Sequence, residues 1–345
     1  MGIDAPTLQE TFTKMQAKLS RLVPEVELRI KAELVFEINR LKKERGALIL
    51  GHNYMEPALF HTVPDIVGDS LELSRRAAET TCDPIIFCGV RFMAETAKIL
   101  NPTRTVLLPA KVAGCSLASS ITAQDVRALK ARYPGVPVVS YINTYADVKA
   151  ESDVICTSGN AVKVVQSLNS DKVIFLPDQF LAANVARESG KQILFPSPSE
   201  PVENSNVIIG WRGACEVHER FTVEDVTNIR RQFPGVAVLA HPECPPEVVE
   251  ASDYSQSTSR MVEFVKTSNA PHFLLLTECS MADNIIAENP SKDVLRLCSI
   301  RCPHMNEITL EDTLNALRNN EQQIEVPIEI AARARIALER MLAVR

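Results

Sequence analysis

Residues 241–258 read HPECPPEVVEASDYSQST, and this stretch is the best guide to the architecture of the chain. An apolar run, 236–240, precedes it, and an amphipathic run, 261–265, follows it. The pattern predicts a buried strand, a polar loop and a helix whose N-cap is Ser257 or Thr258. Ionisable groups at the C-terminal end of a strand, facing a helix N-terminus, are typical of ligand sites in α/β proteins.

The same pattern occurs in two earlier parts of the chain. Each copy has a polar residue at a strand end, an aspartate twelve or thirteen residues later, and a hydroxyl residue five positions after that: His52, Asp65 and Ser70; Tyr141, Asp153 and Ser158; His241, Asp253 and Thr258. Each copy continues with a second strand and a helix, and the helix carries an alanine 41 or 42 residues after His52, Tyr141 or His241. A third strand then begins at Val106, Ile193 or Val294. This internal repeat of about a hundred residues predicts three β-α-β-α-β units.

The predicted fold is therefore α/β, with three domains related by a pseudo-three-fold axis around a central active site. Each domain is a small parallel sheet sandwiched by helices. We expect the first domain at 1–109, the second at 110–197 and the third at 198–302, with C-terminal helices from 303–345 packing on the first. The alternative is a single large doubly wound sheet.

Composition excludes several classes of protein. The chain has 345 residues, 46% of them hydrophobic and 23% charged, with a net charge of −6 and no strong Lys/Arg block. Nucleic acid and an anionic membrane surface are therefore not expected partners. No apolar run approaches the ~20 residues of a membrane helix. Residues 1–6 lack the features of a signal peptide, so the expected location is the cytoplasm.

Nine cysteines occur, and a disulfide framework is improbable in a cytosolic chain of this size. One cysteine follows the third strand of each unit: Cys115, Cys215 and Cys302. Three thiolates suit a four-iron cluster with one open iron; alternatively, His218 or His304 would complete a zinc site. The other cysteines are predicted to be structural, including Cys298 at the end of a strand and Cys244 within the opening stretch.

The polar residues at the strand ends would surround the same axis. They are His52, Tyr54, Tyr141, Asn143, His241 and Glu243. A glutamate beside a histidine is suited to general acid–base catalysis. Ser70, Ser158 and Thr258 are predicted at three helix N-termini, where they would receive carboxylates or a phosphate or serve as plain N-caps.

Several short motifs stand out between about residue 45 and about residue 317: Gly51-His-Asn-Tyr54, Tyr141-Ile-Asn143, Trp211-Arg-Gly-Ala-Cys215-Glu-Val-His218, His241-Pro-Glu-Cys244 and Cys302-Pro-His-Met305. In this combination they resemble the quinolinate synthase family of bacterial NAD biosynthesis. The resemblance implies that iminosuccinate condenses with dihydroxyacetone phosphate, with release of phosphate and two waters. It also implies L-aspartate oxidase or aspartate dehydrogenase as the supplier of iminosuccinate.

The resemblance further implies roles for individual residues. A [4Fe-4S] cluster would be held by Cys115, Cys215 and Cys302, with one open iron that acts as a Lewis acid. Substrate or product would contact His52, Ser70, Tyr141, Asn143, Ser158, His241, Glu243 and Thr258. The catalytic groups would be His241, Glu243, Tyr54 and His218. The alternatives are an enzyme similar to the diphthamide-synthesis family, which also uses three related domains, and a non-catalytic metal protein.

Overall fold

Three separate parallel sheets, each flanked by helices, form the framework of the protein. The structure is a computed structural model that describes residues 2–196, 204–297 and 299–344. The predicted α/β class with three small sheets is confirmed, and the single doubly wound sheet is wrong. Among the described residues, no helix combines the length and apolar character that a membrane crossing demands.

Two helices precede the first sheet and pack against each other. Helix α1 (Leu8–Leu19) has Thr7 as its N-cap, and the Thr7 hydroxyl accepts a hydrogen bond from the backbone N–H of Glu10. Helix α2 (Glu25–Arg45) ends at Gly46, which has a φ of 61°. Glycine adopts this left-handed conformation without steric cost, so Gly46 is well suited to end the helix.

The first unit is built on a four-stranded parallel sheet of order β2-β1-β3-β4. Every residue of β1 and β3 is buried, as expected for a parallel sheet covered on both faces. The elements of the unit are β1 (Leu48–His52), α3 (Pro57–Phe60), β2 (Ile66–Gly68), α4 (Ser70–Glu79), β3 (Ile85–Cys88), α5 (Arg91–Leu100) and β4 (Val106–Leu107).

The second unit has five parallel strands in the order β6-β5-β7-β9-β8. Its elements are α6 (Ala123–Arg132), β5 (Val138–Tyr141), α7 (Ala146–Ala150), β6 (Val154–Cys156), α8 (Ala161–Ser167), β7 (Lys172–Leu176), α9 (Gln179–Ser189), β8 (Gln192–Leu194) and β9 (Val207–Gly210).

The third strand of the second unit differs from the prediction. We expected it to begin at Ile193, but β9 pairs with β7, and the strand that contains Ile193 lies at the edge. Every residue of β9 is buried, whereas β8 is partly exposed, so the more apolar strand takes the inner position. A boundary after residue 197 would divide this sheet, and we propose that the second domain extends through β9.

The third unit repeats the first, with strand order β11-β10-β12-β13. Its elements are α10 (Val223–Gln232), β10 (Val236–Ala240), α11 (Pro246–Ala251), β11 (Tyr254–Ser255), α12 (Thr258–Thr267), β12 (His272–Leu276), α13 (Cys279–Glu288) and β13 (Val294–Leu295). Two helices follow, α14 (Leu310–Asn319) and α15 (Ile328–Ala343). Helix α14 packs on α2 and β3, whereas α15 packs on α7 and β6 of the second unit as well as on α5.

One contact shows the repeat directly. In each unit an aspartate carboxylate accepts a hydrogen bond from a backbone N–H of the central strand, and the aspartate's own N–H donates to the carbonyl of that same strand residue. The pairs are Asp65 with Ile49, Asp153 with Val138, and Asp253 with Val238. Each strand partner lies three residues before His52, Tyr141 or His241, so the spacing found in the sequence reflects one repeated local structure.

Candidate active site

One cavity collects every predicted site residue. It lies where the central strands β1, β5 and β10 end, as expected for the carboxyl edges of parallel strands. The predicted residues that line it are His52, Tyr54, Ser70, Cys115, Tyr141, Asn143, Ser158, Cys215, His218, His241, Glu243, Thr258 and Cys302. Within the described parts of the chain, no lysine or arginine lines this cavity.

A continuous chain of hydrogen bonds crosses the cavity wall. The Tyr141 hydroxyl donates to Glu243 Oε1 over 2.5 Å, and His218 Nδ1 lies 3.0 Å from Glu243 Oε2. On the other side of the ring, His218 Nε2 lies 3.0 Å from Thr277 Oγ1, which is 2.5 Å from the Tyr54 hydroxyl. All five side chains are buried. With Glu243 ionised, His218 Nδ1 donates to the carboxylate, and in the neutral ring Nε2 would accept from Thr277.

Burial and neighbouring groups together set the protonation of these hydrogen-bonded side chains. Burial alone would raise the pKa of Glu243, but nearby His218 and His241 and the hydrogen bond from Tyr141 hold it below its ordinary value. Burial also raises the pKa of the Tyr54 and Tyr141 hydroxyls well above the usual range. At neutral pH the chain therefore pairs an ionised carboxylate with two neutral phenols.

His52 and His241 are neutral and held in equivalent ways. Burial lowers the pKa of His52 to about 4 and that of His241 to about 3. The Nδ1 of His52 accepts from the backbone N–H of Tyr54 at 3.2 Å, and the Nδ1 of His241 accepts from that of Glu243 at 3.3 Å. A neutral imidazole that accepts at Nδ1 carries its proton at Nε2. Each ring therefore offers an Nε2–H to a ligand.

The three hydroxyl residues do not all occupy helix ends. Ser70 and Thr258 are the first residues of α4 and α12, after the N-caps Asp69 and Ser257. Ser158, however, lies in a turn before α8, whose N-cap is Asn160. The prediction that Ser158 begins a helix is wrong, because the Asn160 amide oxygen accepts from the Thr157 N–H and holds the intervening residues in a turn.

The three cavity cysteines have the same local structure. Each is followed by a short 3-10 helix, Ala118–Ser120, His218–Arg220 or Met305–Glu307. The backbone N–H groups two and three residues further on lower the pKa of each thiol: Leu117 and Ala118 for Cys115, Val217 and His218 for Cys215, and His304 and Met305 for Cys302. Backbone N–H groups that favour the ionised sulfur suit thiolates that ligate a cluster.

Burial keeps these three thiols protonated when no metal is bound. Burial raises the pKa of Cys115 to about 12 and of Cys302 to about 11, and raises that of Cys215 well above its ordinary value. A bound cation would convert these thiols to thiolates. The residues present thus fit a cluster held by three cysteines.

A second group of residues that could ligate a metal includes one of the three cysteines. The ligand atoms of Cys215, His218 and Glu243 all lie within 4.8 Å of one another. Both ring nitrogens of His218 already have partners, Glu243 and Thr277, so a zinc ion there would break the hydrogen-bonded chain. The other candidate zinc ligand, His304, has its Nε2 3.1 Å from Glu216 Oε1.

Five of the remaining cysteines lie within the described residues, and none of these five lines the cavity. Cys244 is fully buried, and its thiol donates to the Leu276 carbonyl at 3.4 Å. Cys82, Cys88, Cys156 and Cys279 are also absent from the cavity lining. The prediction for Cys298 falls outside the described residues.

The fold and the site define a class of protein: three related α/β units whose strand ends bring three thiols and a buried acid–base chain to one cavity. Residues 36–343 match the sequence model of a family described as Quinolinate synthetase A protein. The chain belongs to this family, as its motifs predicted.

Curated relatives are similar over nearly the whole chain. Quinolinate synthase 2 of Mesorhizobium japonicum is 50% identical over 338 residues, which cover 98% of this chain and 99% of the relative. Quinolinate synthase of Sinorhizobium fredii is 49% identical, covering 98% of this chain and 89% of its own length. Quinolinate synthase of Xylella fastidiosa is 51% identical over 90% of this chain and 86% of its own.

Proposed function

We propose that this protein is a quinolinate synthase of de novo NAD biosynthesis. It condenses iminosuccinate with dihydroxyacetone phosphate and releases phosphate and two waters. The observation that carries the proposal is the convergence of three equivalent cysteines and the chain from Tyr54 to Tyr141 on one cavity. The relatives named quinolinate synthase support it.

The cavity is suited to a dicarboxylate bound by neutral donors. Lysine and arginine are absent from its described lining, so carboxylates would be held by oriented dipoles. Ser70 and Thr258 offer hydroxyls and backbone N–H groups at the N-termini of α4 and α12, where the helix dipole favours an anion. Ser158, Asn143 and the Nε2–H groups of the two neutral histidines would complete the binding of iminosuccinate.

The hydrogen-bonded chain would move the protons that the condensation and the two dehydrations require. Ionised Glu243 receives a proton from carbon or nitrogen of the substrate, directly or through His218, and Tyr141 and Tyr54 return protons to departing oxygens. Burial keeps bulk water from these groups. When bound to Cys115, Cys215 and Cys302, a [4Fe-4S] cluster supplies an open iron that acts as a Lewis acid in the loss of water.

The wider setting follows from the same proposal. The protein acts in the cytoplasm, and L-aspartate oxidase or aspartate dehydrogenase supplies its iminosuccinate. The family match over residues 36–343 favours this function over an activity like that of the diphthamide-synthesis family. The buried acid–base chain argues against a non-catalytic metal protein, because structural metal sites need no such chain.

The decisive experiment is a product assay under anaerobic conditions. Iron-loaded protein is mixed with freshly generated iminosuccinate and dihydroxyacetone phosphate, and quinolinate and phosphate are quantified over time. We expect equal amounts of both products over many turnovers. Iron-loaded protein that forms no quinolinate, or that releases phosphate without it, would contradict the proposal.

A further inference from the structure

Each strand-end loop has two backbone carbonyls that accept hydrogen bonds from one buried side-chain nitrogen. These carbonyls lie one and three residues after His52, Tyr141 and His241. The donors are Asn284 Nδ2, to Asn53 O at 3.1 Å and Met55 O at 2.9 Å; Lys149 Nζ, to Ile142 O at 2.9 Å and to Thr144 O; and Asn184 Nδ2, to Pro242 O at 3.0 Å and Cys244 O at 3.2 Å. We call each of these contacts a carbonyl clamp.

Each carbonyl clamp encloses one residue of the site. The residue between the two carbonyls is Tyr54 in the first unit, Asn143 in the second and Glu243 in the third, and all three line the cavity. The clamping side chains themselves do not line the cavity. They reach these three residues through the backbone that carries them.

Two of the carbonyl clamps join different units. Asn184 lies on α9 of the second unit and holds a loop of the third, whereas Asn284 lies on α13 of the third unit and holds a loop of the first. The equivalent position on α5 is Thr96, whose hydroxyl donates to the Phe92 carbonyl of its own helix at 2.8 Å. The loop of the second unit is held instead by Lys149 of α7, so the contact persists although the donor changes.

The donors are costly to bury. Asn184 and Asn284 are 1% and 3% exposed, and their Oδ1 atoms have no hydrogen-bond partner among the described residues. Lys149 is fully buried, with its ammonium 5.5 Å from the centre of the Phe92 ring. A buried ammonium or an unsatisfied amide oxygen destabilises a fold. Packing alone therefore does not explain why these polar side chains are buried here. Their hydrogen bonds to the paired carbonyls do explain it.

We propose that Asn184, Asn284 and Lys149 are positioning residues that fix the direction of Glu243, Tyr54 and Asn143. The inference rests on the proposed function, because it assigns these residues a role in that reaction. A displacement of about 1 Å at a reacting group can lower a rate about a hundred-fold. Removal of a carbonyl clamp should therefore change the same kinetic constant as mutation of the residue it encloses, but by a smaller factor.

The test separates positioning from structural support by kinetics. Asn184→Ala should lower kcat by roughly ten- to a hundred-fold, because it frees the loop of Glu243. Lys149→Met should instead raise KM for iminosuccinate, because Asn143 is a binding group. The matched control is Thr96→Val, at the position equivalent to Asn184 but without a carbonyl clamp, and it should leave both constants near the wild-type values.

A double-mutant cycle makes the inference specific. In the Glu243→Gln background, Asn184→Ala should add less than about a two-fold effect, because the residue it positions is already lost. In the Asn143→Ala background the same change should retain its full effect. Effects that multiply with Glu243→Gln, or a kcat within two-fold of wild type for Asn184→Ala, would overturn the inference.

Two measurements keep the outcomes distinct. Iron content and the midpoint of thermal unfolding identify variants that fail to bind iron or to fold. If Asn184→Ala fails in this way, the double-mutant cycle is repeated with Asn284→Ala and Tyr54→Phe. Wild type and Thr96→Val report on the function itself. If both form quinolinate while Asn184→Ala is unimpaired, only the positioning role fails; if neither forms it, the proposed function fails.

Discussion

Replacing Glu243 by glutamine tests the series of hydrogen-bonded side chains from Tyr54 to Tyr141, in which Glu243 supplies the carboxylate. The carboxylate accepts from Tyr141 at 2.5 Å and from His218 at 3.0 Å. A glutamine keeps the shape but has one acceptor oxygen, so its NH₂ group would face one of the two donors. A hydrogen bond to a charged group contributes about 1.5–3 kcal/mol, and both contacts are weakened.

The expected loss of transition-state stabilisation is about 3–5 kcal/mol, which corresponds to a kcat roughly 10²- to 10⁴-fold lower. Some stability should also be lost, because the lowered pKa of Glu243 means that its partners more than offset the cost of burying the charge. The rate is therefore compared per folded, iron-loaded protein, with the unfolding midpoint measured for each variant. The assay measures the initial rate of quinolinate formation at saturating substrate, with iron counted in the same samples.

The matched control is Glu219→Gln. It makes the same chemical change at an exposed residue next to His218, outside the cavity lining. We expect a rate within about two-fold of wild type, as for most surface substitutions. A Glu243→Gln enzyme with a near-normal kcat would remove this carboxylate from the mechanism and refute the reasoning.

Three further predictions test other parts of the site and the fold. Cys115→Ser, Cys215→Ser and Cys302→Ser should each abolish the visible absorbance of the cluster, whereas Cys82→Ser should keep it; loss with Cys82→Ser alone would show that the three ligands are misassigned. Thr277→Val should lower kcat by about ten- to a hundred-fold at unchanged iron content, because it removes the hydroxyl between His218 and Tyr54; an unchanged kcat would exclude proton transfer through it. Burial lowers the pKa of His61 to about 3, so the unfolded chain binds a proton there that the folded chain does not, and stability is lost as pH falls from about 6.5 towards 3. In urea unfolding between pH 5.5 and 4, His61→Leu should reduce the loss of stability by about 1.4 kcal/mol per pH unit relative to wild type; parallel curves would contradict the buried neutral state.

The sequence predicts the three units because one local structure is repeated with nearly fixed spacing. Asp65, Asp153 and Asp253 each bond to a strand residue three positions before a site residue, so the spacing is set by sheet geometry. The position of the strand at Ile193 in the sheet was predicted wrongly. An apolar pattern predicts a strand but not the strand with which it pairs, and the more apolar segment 207–210 takes the inner position.

Other features of the site were harder to predict from the sequence. The three cysteines share a pattern that the prediction did not use: each lies seven residues before a helix N-cap threonine, and an aspartate follows that threonine by three positions. Thr277 had no such signal, since Gly89 and Pro177 occupy the equivalent positions and carry no hydroxyl. Asn184 and Asn284 share a position in the repeat, but their role depends on packing between units, which periodicity does not report.

The proposed function requires that three equivalent cysteines hold one cluster at the pseudo-three-fold axis. Metal and sulfide analysis of anaerobically purified protein tests this claim, together with its visible spectrum. We expect about four irons and about four sulfides per chain, with the broad absorbance of a [4Fe-4S] cluster. A colourless protein that binds one zinc per chain, and takes up no iron and sulfide on reconstitution, would contradict it.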